Sequence, residues 1–140
     1  MTDAEKNQSK LDLHMALLAR IVARFVSDGL AAHDIDSRGA KEFIGVDEDQ
    51  AVFGAVLIWM LDEKIITARQ VTGRPPRGPI ALLGAQLTAK GLSIVRQPLG
   101  GGDTVETRIK NADGGNSTWS NIGDLIGGIA GGLIKSVSSG

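Results

Sequence analysis

Apolar positions in the first part of the chain recur at helical spacing. Leu11, Met15, Leu18, Val22, Phe25 and Val26 share one stripe, widened by Leu17 and Ile21. The spacing predicts a helix from about Ser9 to Leu30, after a polar, frayed stretch over residues 1–8 and before a stop at Asp28-Gly29. Residues 34–46 read as a turn region with one short helix around Ser37 to Phe43. A third helix follows the acids Asp47, Glu48 and Asp49, whose charge suits a helix start, and runs to about Asp62 or Lys64. Val52, Phe53, Val56, Leu57, Trp59, Met60 and Leu61 make it apolar over much of its circumference. Such a helix is mostly buried, or buried on one side and docked on the other.

Residues 65–88 change period. β-branched residues open the segment, "GRPPRGP" breaks it at 73–79, and Ile80-Ala81-Leu82-Leu83 resumes it. Two short strands around a Pro/Gly loop predict a hairpin with a long tip. Leu87 to about Gln97 reads as a helix with Thr88 as N-cap, Leu87, Leu92 and Val95 inward, and Pro98 as the stop. Residues 98–118 read as a glycine-rich linker with a short strand at Val105–Ile109. The expected fold class is mainly α with a small β-hairpin, an α+β chain. The expected domains are 9–97, a final helix at 119–137, and a tail at 138–140.

Composition narrows the chemistry. The 140 residues contain no cysteine, which excludes disulfides and cysteine-ligated zinc. His14 and His33 are not spaced as metal ligands, and they read as a half-buried helix residue and a loop residue. No Ser-His-Asp set and no supported carboxylate pair can be assembled. The expectation is a non-enzymatic protein with no cofactor and no metal. No signal-peptide pattern appears, so the expected location is cytoplasmic. Net charge is −1 but unevenly spread. Residues 1–68 carry seven Lys/Arg against twelve Asp/Glu, whereas residues 69–110 carry seven against two. A basic middle can touch an acidic partner, though the field is modest.

The order helix, short helix, apolar helix, hairpin, and then Leu87-Thr88-Ala89-Lys90-Gly91 opening a helix resembles the winged-helix fold. Winged-helix proteins of the MarR and PadR types, and small phage-encoded ones, carry "LTxKG" just after the wing. "LDEKII" at 61–66 resembles the family's exit from the third helix. The resemblance covers roughly residues 11–97 and implies a DNA reader. The third helix departs from that pattern: it begins with three acids, carries no Lys or Arg before Lys64, and offers only Gln50 to a base. Arg69, Arg74 and Arg77 on the wing can touch phosphate or an acidic partner without reading sequence. Nucleic acid is therefore the disfavoured partner. A protein partner or a second copy is the favoured one, and a DNA-binding regulator that dimerises through its tail is the alternative.

The segment at 119–137 carries apolar residues at spacings of three and four, Trp119, Ile122, Ile126, Ile129, Leu133 and Val137. Gly123, Gly127 and Gly131 are interleaved four apart, as are Gly128 and Gly132. Ser120 or Asn121 can cap the start. Each glycine costs a helix about 0.8–1.0 kcal/mol against alanine, so five cost roughly 4–5 kcal/mol, and the isolated segment is not helical in water. Small residues four apart let two backbones approach closely. The pattern resembles glycine-zipper segments and implies self-association, contact with the chain's own domain, or membrane association through residues 119–137. Spanning a bilayer takes about twenty apolar residues, so an interfacial helix or an oligomeric span fits better. "GGIAGGLIKS" is not a P-loop, because Ile134 stands where the motif needs glycine.

Overall fold

The structure is a computed structural model that describes residues 3–73 and 78–132, with side chains from Lys10 on. The chain is mainly helical with small antiparallel sheets, an α+β fold. In order, the elements are α1 (Asp3–Ser27), β1 (His33–Asp36), α2 (Ala40–Ile44), α3 (Gln50–Asp62), β2 (Ile66–Thr67), β3 (Gln70–Thr72) and β4 (Ala81–Leu87). They continue with α4 (Ala89–Val95), β5 (Pro98–Gly100), β6 (Asp103–Thr104), α5 (Val105–Lys110) and α6 (Asn116–Ala130). Two compact units divide the chain: Ile21–Ser93, and the residues up to Arg20 together with those from Ile94 on.

In the Ile21–Ser93 unit, β4 is the central strand. β1 pairs with one side of it, and β2 and β3 with the other, all antiparallel. β1 was not expected from the sequence. Ile35 is its one buried residue, so the strand shows no alternating apolar run. Its neighbours fix it instead: the backbone N–H of Ser37 donates to the Ile80 carbonyl (2.8 Å), and the Ile80 N–H donates to the buried Ser37 hydroxyl (2.9 Å). His33, expected in a loop, lies in this strand between the rings of Phe25 and Phe43, 5.4 Å from each. Opposite Asp34, β4 bulges at Leu83 and Gly84; Gly84 has φ +67° and donates its N–H to Asp34 Oδ1 (3.0 Å). Two residues facing one, with glycine in the left-handed region, is how a sheet takes such a kink.

The third helix matches its expected bounds. Asp49 caps it by accepting from the N–H groups of Ala51 and Val52. Phe53, Val56, Leu57 and Met60 are buried on one face. Burying such side chains contributes roughly 1.5–3 kcal/mol each. The helix exits through Lys64, the only non-glycine residue at positive φ (+64°) among the described residues.

Thr88 then ties the next corner. Its hydroxyl donates toward the carbonyls of Lys64 and Ile65, and it accepts from the Gly91 N–H (2.9 Å) as the N-cap of α4. A Cβ on Gly91 would lie 2.2 Å from the Ile65 carbonyl oxygen, so only glycine lets α4 approach this closely. Two expectations fail here. Leu87 ends β4 rather than starting the helix, and Leu92 is exposed while Ile94 and Val95 are buried. Its seven residues make about two turns, and the inward side is the one led by Gly91, which leaves Leu92 outside.

The other unit corrects four further expectations. α1 begins at Asp3, inside the stretch over residues 1–8 expected to be frayed, and ends at Ser27, short of Leu30. Leu11, expected on its inward stripe, is 61 % exposed. The region read as linker over 98–118 holds the β5–β6 pair and α5. The strand expected at Val105–Ile109 is helix α5. Thr104 and Thr107 form a reciprocal capping box, and Arg108 Nε reaches Asp103 Oδ2 at 2.6 Å. A box of this kind satisfies orphan donors at a helix start, which a strand would leave open.

Candidate functional site

Two surfaces carry the residues singled out above. The first is the seam between α6 and the part of α1 up to Arg20, which lie in the same unit. α6 starts at Asn116 with Gly115 as its N-cap and no side-chain cap bond. Neither Ser120 nor Asn121 caps it, because both lie inside the helix. Ser120 is buried and its hydroxyl turns back to the Ser117 carbonyl (3.1 Å). Asp113 supports the start from outside. It accepts from the Gly115 N–H (3.0 Å) and from Thr118, and these bonds hold its carboxyl below the usual range.

Ile122, Gly123, Ile126 and Ile129 form the buried face of α6. At Gly123 the two helix backbones touch. A Cβ there would lie 1.9 Å from the Met15 carbonyl oxygen and 2.9 Å from the Met15 Cα. Gly127 is different, because its Cβ would meet only the Met15 sulfur, at an ordinary 3.9 Å. Trp119 is half-buried beneath Arg20, whose guanidinium carbon is 5.2 Å from the ring centre. Arg20 also reaches the Gly114 carbonyl (3.4 Å) and Asn116 Oδ1 (3.3 Å). The Trp119 indole N–H is buried without a hydrogen-bond partner among the described residues. Burial, then the Asp12 carboxylate on α1, pushes the Asp124 carboxyl above its ordinary value.

Of the predicted glycine ridge, Gly123 is therefore the backbone contact, and it is made within the chain. Gly127 and Gly128 are half-buried. The helix expected over 119–137 stops at Ala130. Gly131 is exposed, Gly132 has φ +83°, and the Gly132 N–H donates to the Ile129 carbonyl (3.0 Å). Adjacent glycines let the chain leave a helix through the left-handed region. Leu133 and Val137 lie outside the described residues. Among the described residues no helix is long and apolar enough to cross a membrane.

The second surface lies on α3 and the hairpin. Ala51 and Ala55 are exposed, and Val52, Ile58 and Trp59 are half-buried. These positions share one side of the helix, opposite Phe53, Leu57 and Met60. No charged residue occurs from Gln50 to Leu61. On the hairpin side, Arg69 is exposed at the bend between β2 and β3, and its side chain lies across Gly84. Arg74 and Arg77 lie outside the described residues. Lys64, Arg69 and Lys90 are exposed and have no ion pair among the described residues. One sequence signal was there to be read and was missed: residues 64–102 contain no acid at all.

No family model, curated protein or solved structure matches this chain. The function rests on the geometry alone.

Proposed function

We propose that this chain is a non-enzymatic, winged-helix-like interaction module that docks a protein partner, or a second copy of itself, through α3. One observation carries the reading: the helix that would enter a DNA groove presents Ala51, Ala55, Ile58 and Trp59 instead of cations, behind an acidic start. Phosphate has nothing to bind there, whereas small and apolar side chains fit a partner's surface. Support for winged-helix order comes from the Ile21–Ser93 unit, which places β1 between its first two helices and pairs it with β4. In this reading α6 also serves self-association or attachment to a membrane surface. Because its apolar face is already spent on burial within the chain, that role requires α6 to leave α1.

The test is sedimentation over rising concentration, with wild type beside Ala55→Arg. The exposed site tolerates the substitution, so thermal stability holds while self-association or partner binding is lost. Unchanged association in Ala55→Arg would remove α3 as the docking face.

A second reading is favoured by the unpaired Lys64, Arg69 and Lys90 in an acid-free stretch: a DNA-binding regulator in which the hairpin holds phosphate. Fluorescence anisotropy with duplex DNA at physiological salt separates the two. The first reading expects weak binding that salt abolishes. Nanomolar, sequence-dependent binding would establish the second.

A further inference from the structure

We propose that α6 is a releasable clasp, a helix that folds only while seated on α1 and opens as one unit while the Ile21–Ser93 unit stays folded. The inference deepens the tail role proposed above, and rests on it only for what the freed segment does next.

Four features make the seated state conditional. Gly123, Gly127 and Gly128 lie inside the helix and depress its own helicity. No side chain caps its first residue, and its ends join the chain at glycines of positive φ, Gly114 at +89° and Gly132 at +83°. The carboxylates of Asp12 and Asp124 oppose each other from the two helices. The Trp119 indole N–H is buried with no acceptor, a cost that opening removes.

Against these stand the burial of Ile122, Ile126 and Ile129, the backbone contact at Gly123, and the long contacts of Arg20. These favourable features need α1; what remains without it is the Asp113 bonding at the first turn and the packing of α6 against α5, the helix just before it. Seating and helix formation are therefore one event, because a segment with three internal glycines does not hold a helix unsupported. The Thr88 corner offers the contrast: its hydroxyl and backbone N–H wire Lys64, Ile65 and Gly91 together, so that corner opens only with its sheet. Release of α6 would free Trp119 and the three isoleucines together, an apolar set of the kind an interface or a second copy takes up.

Native-state hydrogen exchange on the full chain tests this with no membrane or partner present. The expected result is that α6 amides exchange as a group, at least about tenfold faster than β4 amides, with β4 following global unfolding. Gly127→Ala, which meets no close neighbour, should slow α6 exchange about fourfold while leaving β4 unchanged. Exchange of α6 and β4 at one common rate would overturn the proposal, as would an unchanged or faster α6 rate in Gly127→Ala. Phosphatidylglycerol vesicles added afterwards read the separate question of association. A clasp that opens but binds no vesicle and forms no dimer would sink the tail role alone.

Discussion

Among the described residues, two glycines inside helices stand where a methyl group would strike a carbonyl oxygen. Gly91 lies against Ile65, with a Cβ placed 2.2 Å from the oxygen, and Gly123 lies against Met15, at 1.9 Å. The device is the same, but the support is not. At Gly91 a threonine hydroxyl, a backbone N–H and the edge of a sheet hold both sides of the contact. At Gly123 the contact is held by apolar burial and by one arginine reaching across at 3.3–3.4 Å. A close approach is thus as firm as the hydrogen bonds around it. One glycine belongs to the fold, and the other belongs to a joint.

The largest test of that contrast is Gly91→Ala. The added methyl meets backbone rather than a flexible side chain, so the whole Ile21–Ser93 unit should lose about 3 kcal/mol. Chemical denaturation should show one shifted, global transition. Next, Thr88→Ala removes the N-cap and the bonds to two carbonyls, and should lower stability by about 1 kcal/mol, with Thr88→Ser restoring most of it. A loss confined to α4, read by amide exchange, would show that the corner is less connected than its bonds imply. Lys64→Gly should raise stability by about 1 kcal/mol, because a side chain in the left-handed region is strained and glycine is not. Unchanged or lower stability would mean that the Lys64 side chain contributes more than the strain it carries.

These corners also show what the sequence could and could not reveal. Thr88 was legible as a cap ahead of a helix, but Gly91 was read only as the last letter of the same motif, and its close approach to Ile65 shows in the structure alone. The α3 start at Asp49 was legible in the same way as Thr88, as an acidic cap ahead of an apolar run. β1 was not, because one buried isoleucine makes no period, and its pairing with β4 is a long-range fact. α5 was misread as a strand because Val105 and Ile109 outweighed the Thr104–Thr107 box that decides it. On the candidate seam, the glycine spacing pointed to a close contact along a whole ridge, whereas the close backbone contact seen is at Gly123. It could not say which glycine makes it, and it hid the partner, because Met15 was read only as part of an inward stripe.

A smaller effect separates the joint from the corner by pH. Burial, and then Asp12, raise the Asp124 carboxyl above its ordinary value in the seated state. For an acid this means that ionisation opposes seating. The penalty is fully present above the folded-state value and disappears as pH falls below the unfolded one. Amide protection in the middle of α6 should therefore rise as pH drops through the carboxylate range, against the loss of the Asp113 bonds at the first turn, and Asp124→Asn should abolish the rise and leave only the Asp113 loss. Mid-helix protection that falls alike in acid for both proteins would show that other carboxylates control the seam.

The account turns on Gly123 being a backbone contact while Gly127, one turn away, is not. The decisive measurement is the thermal transition of Trp119 fluorescence in a Trp59→Phe background, comparing Gly123→Ala with Gly127→Ala. Both changes add the same methyl and the same gain in helix propensity, about 0.8–1.0 kcal/mol. The account predicts opposite signs: a lower midpoint for Gly123→Ala and a higher one for Gly127→Ala. Two midpoints raised alike would contradict it, since a helix without the Met15 contact would respond to propensity alone.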